Sequence, residues 1–289
     1  GSEMCIRDRP YPRTDQARQR DVKFISASEP DYVLSPQECR HSTLYMEKRA
    51  VQGEPTVFSE TFEYTSCGEW HNLRAEDVLP YDTTTALYKE YTAEREKHIV
   101  FSPRLRELAA KLTAGETNPY LKAKRIFRWI NDHFPWASAR EYSTIENIPE
   151  YVLDNRHGDC GQVSLLFITL CRISGIPAHF QSGFMMHPRA WNLHDWAEVY
   201  FEGVGWVPVD QSFGIPAFAR NADEEYFFLG GIDSWRMIVN TDYGMPLVPE
   251  KKYPRSETVD FQRGEVEWEG GNLYFPQWSY HMDIDYLNY

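Results

Sequence analysis

The sequence predicts an α+β fold, with helices first and an antiparallel sheet after them. Three observations carry this. Apolar residues recur at helical spacing in three segments between Ser102 and Ser174. From Ala178 to Asp210 the pattern changes to strand alternation. Glu202-Gly203-Val204-Gly205 then reads as the turn of a hairpin.

The elements follow in order. Residues 1–30 are charged and weakly patterned and read as a frayed lead-in, with Gly1-Ser2 resembling an expression scar. Residues 31–100 form an N-terminal extension to which no fold is assigned, although Val57 to Tyr64 alternates loosely like a strand. Residues 101–289 read as one domain, ending in an aromatic-rich segment. Ser102-Pro103 offers a capping hydroxyl and a proline suited to the first helical position. Leu105, Leu108, Ala109 and Leu112 continue that helix. A second helix begins at Asn118-Pro119, carries Ala123, Ile126, Phe127 and Ile130, and stops before Pro135. Trp136 to about Arg156 reads as a long loop, a feature that is often functional. The third helix runs from Cys160 to Ser174, and Gly175 and Pro177 end it. Strands follow over Ala178–Phe184, Asp195–Phe201 and Trp206–Asp210. Pro208 lacks a donor, so the last strand should have an open side or a bulge there.

The chain has 289 residues, 42% hydrophobic and 25% charged, enough for a large core. Aromatic residues make up 15%, which suggests a ring-rich core, a ring-lined cleft, or both. The net charge of −13 and the lack of a basic cluster argue against nucleic acid and against an anionic membrane surface. No apolar run is long enough to span a membrane. The first residues lack the apolar core of a signal peptide. A leader can be removed before Gly1, so export to a periplasm or beyond stays open. The five cysteines, at 5, 39, 67, 160 and 171, are too sparse for a disulfide scaffold, although Cys39 and Cys67 could pair. Ligand spacings typical of zinc, nucleotide-binding loops and dinucleotide glycine patterns are missing, so neither a metal nor a cofactor is expected.

Only one constellation carries chemistry. Cys160, His194 and Asp210 lie in order, 34 and then 16 residues apart. A thiol nucleophile needs a base, and the base needs an orienting group. Cys160 falls at a helix N-terminus, where the thiol pKa drops and free N–H groups can receive an oxyanion. Gly158 and Gly161 leave room for a carbonyl. If Phe201 pairs with Trp206, Asp210 faces Ala197, near the His194 end of the strand; paired Cβ atoms lie about 4.5–5.5 Å apart.

Four blocks resemble the transglutaminase-like superfamily, and the resemblance covers roughly residues 119 to 214. Arg156-His157-Gly158-Asp159-Cys160-Gly161-Gln162 resembles its nucleophile motif, and Cys171-Arg172-Ile173-Ser174-Gly175-Ile176-Pro177-Ala178 its helix-ending turn. His194-Asp195-Trp196-Ala197-Glu198-Val199-Tyr200 resembles the histidine strand, and Gly205-Trp206-Val207-Pro208-Val209-Asp210 the aspartate strand. The resemblance implies a papain-like core in which Cys160 is the nucleophile, His194 the base and then acid, and Asp210 the orienting carboxylate. Trp136 sits where relatives carry an aromatic that shapes the oxyanion site, or it packs at a helix end. Gly161, Gln162 and Trp196 join it as candidate oxyanion or substrate-binding positions. The family includes crosslinking acyltransferases, peptidases, deamidating enzymes, peptide N-glycanases and inactive members. This chain looks like the compact bacterial type, without a calcium loop, where hydrolysis is commoner. The resemblance implies a thioester-forming hydrolase of amide, peptide or isopeptide bonds acting on a peptide, protein or glycopeptide. Acyl transfer to an amine is the alternative, and a non-catalytic glycan- or peptide-binding module is a further one.

Overall fold

A computed structural model describes residues 4–138 and 140–287. Its strands are β1 (Met4–Pro10), β2 (Gln19–Ala27), β3 (Tyr32–Leu34), β4 (Thr43–Arg49), β5 (Glu60–Ser66) and β6 (Glu69–Trp70), followed by helices. These are α1 (Ala86–Tyr91), α2 (Pro103–Leu112), α3 (Pro119–His133), α4 (Ile148–Asn155) and α5 (Cys160–Ile173). Then come β7 (Ala178–Met185), β8 (Asn192–Phe201), β9 (Gly205–Val209), α6 (Ala222–Glu225), β10 (Gly231–Ile232), β11 (Arg236–Asn240), β12 (Glu265–Trp268) and β13 (Gly271–Leu273). The mixed helices and antiparallel sheets make an α+β fold.

Local chemistry sets the helix starts. Ser102 and Asn118 accept hydrogen bonds from the N–H groups of Leu105 and Leu121, and proline follows each cap. Helix α5 is enclosed along nearly its whole length, from Gly161 to Arg172. Helices α2, α3 and α4 pack around it, and its remaining side rests on β7 and β8. Ala197, Val199 and Phe201 of β8 share one core with Leu166, Phe167 and Leu170 of α5. Arg172 ties the helix end down by donating to the carbonyls of Ala178 and Ala93.

The sheet under α5 is antiparallel throughout, in the order β11-β7-β8-β9. The hairpin register differs by one residue from the sequence expectation. Phe201 pairs with Gly205 and Ala197 with Val209, so Asp210 lies just past the paired segment. The cause is the turn, where Gly203 and Gly205 take φ of +87° and +106° and Val204 N–H bonds Phe201 O. As Pro208 implied, β9 is the edge strand.

Two further expectations are corrected. The stretch from Trp136 to Arg156 is not a structureless loop, because it holds α4, capped by Asn147 with Pro149 in its first turn. Residues from Met4 onward are not a frayed lead-in. β1 lies between β12 and β4 in a five-stranded sheet that joins the two ends of the chain. Its Ile6, Arg7 and Asp8 are buried, and Lys251 meets Asp8 at 2.8 Å, which explains the charge in this strand. The N-terminal arm also closes the edge of β11. Arg13 N–H bonds Ile238 O, and the Gln19 side chain bonds both N–H and C=O of Ile238. All five cysteines are free, so Cys39 and Cys67 do not pair. No helix among the described residues is long and apolar enough to cross a membrane.

Deleting residues 1–10 therefore removes a central strand and exposes β4 and β12. Thermal melts of the shortened chain should lose their single cooperative transition; an unchanged melting curve would contradict this architecture.

Candidate active site

The chain enters α5 through a tightly held corner. Arg156 ends α4 in the left-handed region at φ +62°. Gly158 then pairs in parallel with Trp136, and Ala137 N–H bonds Gly158 O at 3.0 Å. Asp159 caps α5: its carboxylate accepts from Gln162 N–H at 3.1 Å, and Gln162 Oε1 accepts from Asp159 N–H in return. Cys160 is thus the first helical residue, half-buried.

His194 and Asp210 meet as expected. His194 Nε2 and Asp210 Oδ2 are 2.7 Å apart. Burial alone would raise the Asp210 pKa, but His194, Arg236 and the Phe213 N–H hold it well below the usual carboxylate range. Arg236 Nη2 lies 3.0 Å from the same oxygen and 2.8 Å from Asp233. Arg236 is itself enclosed, with its guanidinium over the rings of Phe213 and Trp196. His194 is pushed below the free imidazole value of 6.5, by burial first and despite Asp210. It is therefore a neutral base at neutral pH. His194 Nε2 faces Asp210, and the hydrogen-bond partner of the Cys160 sulfur is Asp195 and not His194.

The surroundings of Cys160 are acidic. Its sulfur lies 3.5 Å from Asp195 Oδ2. Burial, Asp195 and Asp159 push the thiol well above its ordinary value, while the Asp195 backbone N–H acts in the opposite sense. The sequence expectation of a thiol lowered by the helix head is thus overridden in the resting protein. Tyr142 donates to Asp159 Oδ1 at 2.6 Å and lies 3.3 Å from Asp195 Oδ2. Gln262 Nε2 donates to Asp195 Oδ1 and to the His194 carbonyl, at 2.7 and 2.8 Å. Burial and neighbouring carboxylates raise Asp195 strongly, Asp260 to about 6 and Glu257 to about 8.

The remaining candidates separate. Trp136 is 61% exposed and lines a cleft with Phe134, Gly158, Gln211 and Ser212. Gly161 is enclosed; a Cβ there would come within 2.4 Å of Tyr142 Oη and 2.6 Å of Asp195 Oδ2. Its N–H serves the Asp159 carboxylate, as does that of Gln162, so the cap occupies donors that an oxyanion would need. Gln162 is fully buried and acts as a capping partner. Trp196 is also fully buried, and its indole N–H bonds Gln181. Gln162 and Trp196 therefore have scaffold contacts instead of the substrate contacts expected of them. Arg236, Asp195, Tyr142 and Gln262 were missed. Arg236 left a faint signal, a cation opening the apolar run Met237-Ile238-Val239.

Residues 106–211 match the model of the transglutaminase-like superfamily. That stretch resembles a transglutaminase-like core. It is 26% identical over 140 residues to YebA, an uncharacterized protein of Bacillus subtilis, covering 42% of this chain and 19% of that one. It is 23% identical over 125 residues to a protein-glutamine gamma-glutamyltransferase of Pseudomonas aeruginosa, covering 39% and 19%. The chain thus spans about a fifth of the length of these curated relatives. The fold resembles a crystal structure from Cytophaga hutchinsonii, proposed there to be a cysteine protease. Its TM-score is 0.54 at 18% identity, over 93% of both chains.

The acidic pocket should make stability depend on pH. Asp260 and Glu257 bind their protons more tightly folded than unfolded. Their contribution is therefore complete below the ordinary values of 3.8 and 4.5 and is lost as pH rises through about 6 and about 8. The melting temperature should fall across that window, and Glu257→Gln should flatten the fall. A melting temperature that rises across the window in both proteins would contradict this.

Proposed function

We propose that this protein is a cysteine-dependent hydrolase of amide, peptide or isopeptide bonds. The observation that carries the reading is the His194 ring, bonded through Nε2 to an Arg236-held carboxylate and following Cys160 at the head of α5. His194 Nδ1 takes the thiol proton across the end of β8, and sulfur attacks the substrate carbonyl carbon. The carbonyl oxygen gains the negative charge. The Cys160 N–H and the Trp136 indole are the donors we assign to it, since Asp159 occupies the next two N–H groups of the helix. The tetrahedral adduct collapses to a thioester as the leaving amine departs with the proton from His194. Water, deprotonated by His194, then attacks the thioester; the acid leaves and the thiol is restored. The proposed substrate is a peptide, protein or glycopeptide that enters along the cleft walled by Trp136.

Acyl transfer is the second reading, favoured by the Pseudomonas relative whose name denotes it. The same thioester would then yield to an amine instead of water.

Fluorogenic peptide amides and a protein substrate such as casein provide the test. Cys160→Ala should lose at least ~10³-fold in turnover while keeping its fold, and His194→Ala should do the same. The acid limb of kcat/KM should lie below the free imidazole value, because burial depresses His194. Full activity in Cys160→Ala would overturn the proposal. Added amine discriminates between the two readings: free acid alone supports hydrolysis, whereas an amide product supports transfer.

A further inference from the structure

We propose that Asp195 is a further catalytic residue, working as the neutral acid and donating a hydrogen bond from Oδ2 to the Cys160 sulfur as His194 removes the thiol proton. This rests on the thiol reading above and adds a second carboxyl to it. Alternation along β8 separates Asp195 from His194. Asp195 lies on the side of Ala197, Val199 and Phe201, which pack on α5, and His194 stacks with Trp196. Asp195 is thus the residue of β8 whose side chain touches the sulfur.

A proton inventory supports the assignment. Asp195 Oδ1 accepts from Gln262 Nε2 at 2.7 Å. Oδ2 faces two heavy atoms, Cys160 Sγ at 3.5 Å and Tyr142 Oη at 3.3 Å. Tyr142 can donate to either Asp159 Oδ1 at 2.6 Å or Asp195 Oδ2 at 3.3 Å but has one hydroxyl proton; we place it on the shorter contact, which turns lone pairs toward Asp195. At rest the thiol donates to Oδ2. Once that proton has moved to His194, an ionised Asp195 would leave a carboxylate and a thiolate in contact inside the protein, with no proton between them. Such like-charge contact in a buried site strongly disfavours one of the two ions. A protonated Asp195 removes the conflict, because its O–H can point to Tyr142 Oη at rest and turn to sulfur when the thiolate forms. The S–H bond breaks and an N–H bond forms on His194, while Asp195 keeps its own proton.

The groups packed around Asp195 favour the neutral acid. Asp159 and Cys160 face it from the start of α5, Tyr142 from the turn before α4, and Asp260 and Gln262 from the segment before β12. Behind them, Arg263 bonds Glu141 and Glu257, at 2.8 and 2.7 Å, and so spends its charge on other carboxylates. The burial that raises Asp195 therefore acts with the geometry.

The test reads the sulfur without any substrate. Cys160 is alkylated with iodoacetamide from acid to alkaline pH, and the rate is taken from the mass of the Cys160 peptide, since four other cysteines are present. In the native protein the rise of rate with pH should be interrupted where Asp195 ionises. Asp195→Asn keeps an N–H donor and cannot ionise. Its profile should be one simple titration, equal to the native rate on the acid side and ~10-fold faster on the alkaline side. Asp195→Ala, lacking the donor, should be ~10-fold slower than Asp195→Asn throughout. Superimposable profiles for the native protein and Asp195→Asn would overturn the proposal. If Asp195→Asn fails to fold, the native curve decides alone, and a single simple titration overturns it. Failure here leaves the hydrolase reading standing, since that depends on turnover by Cys160→Ala.

Discussion

The Asp210 carboxylate is the charge on which the site depends. It is wholly enclosed, and an enclosed carboxylate stays ionised only where cations or donors surround it. Here Arg236, His194 and the Phe213 N–H converge on its two oxygens. Arg236 in turn needs Asp233, and its planar face needs Phe213 and Trp196. The chain of partners therefore runs from β11 through the end of β9 to β8. That places three strands in register and fixes which imidazole nitrogen is engaged. Arginine suits this position because its planar fork can hold two carboxylates while its face stacks on rings.

A second constraint is the conflict between capping α5 and using its head. Asp159 satisfies the N–H groups of Gly161 and Gln162, which stabilises the helix start. The same bonds withdraw two donors from an incoming oxyanion and place another carboxylate beside the sulfur. Gly161 is the hinge of this compromise. Tyr142 and Asp195 approach where its side chain would be, so their contacts with the cap and the thiol exist only because that residue has none.

Much of this was legible in the sequence. The helix starts at Ser102-Pro103 and Asn118-Pro119, the helix beginning at Cys160, and the strand carrying His194 are local phenomena, set by caps, prolines and periodicity. The meeting of His194 and Asp210 was legible for the same reason, since one hairpin connects them. The register slipped by one because a glycine turn can close in several ways, and alternation alone does not choose among them. The N-terminal strands were illegible for a different reason. β1 carries Arg7 and Asp8 inside a sheet, and their partners lie far off, Arg263 O for one and Lys251 for the other. A buried charge whose partner is about 250 residues away looks like a solvated one. Arg236, Gln262 and Asp195 were hidden similarly, because their roles come from side chains that converge only after folding.

Those hidden residues explain why the thiol is restrained at rest. The Asp195 N–H favours a thiolate, whereas burial and Asp159 oppose it. The second set prevails until something changes the local proton count or the solvation. A substrate carbonyl entering beside Gly158 would add a group that needs negative charge stabilised, and it would do so where the cap leaves the Cys160 N–H available. The His194–Asp210–Arg236 chain is already complete through Nε2. On the hydrolase reading proposed above, reactivity would follow the arrival of the substrate, since burial and Asp159 favour the neutral thiol before it.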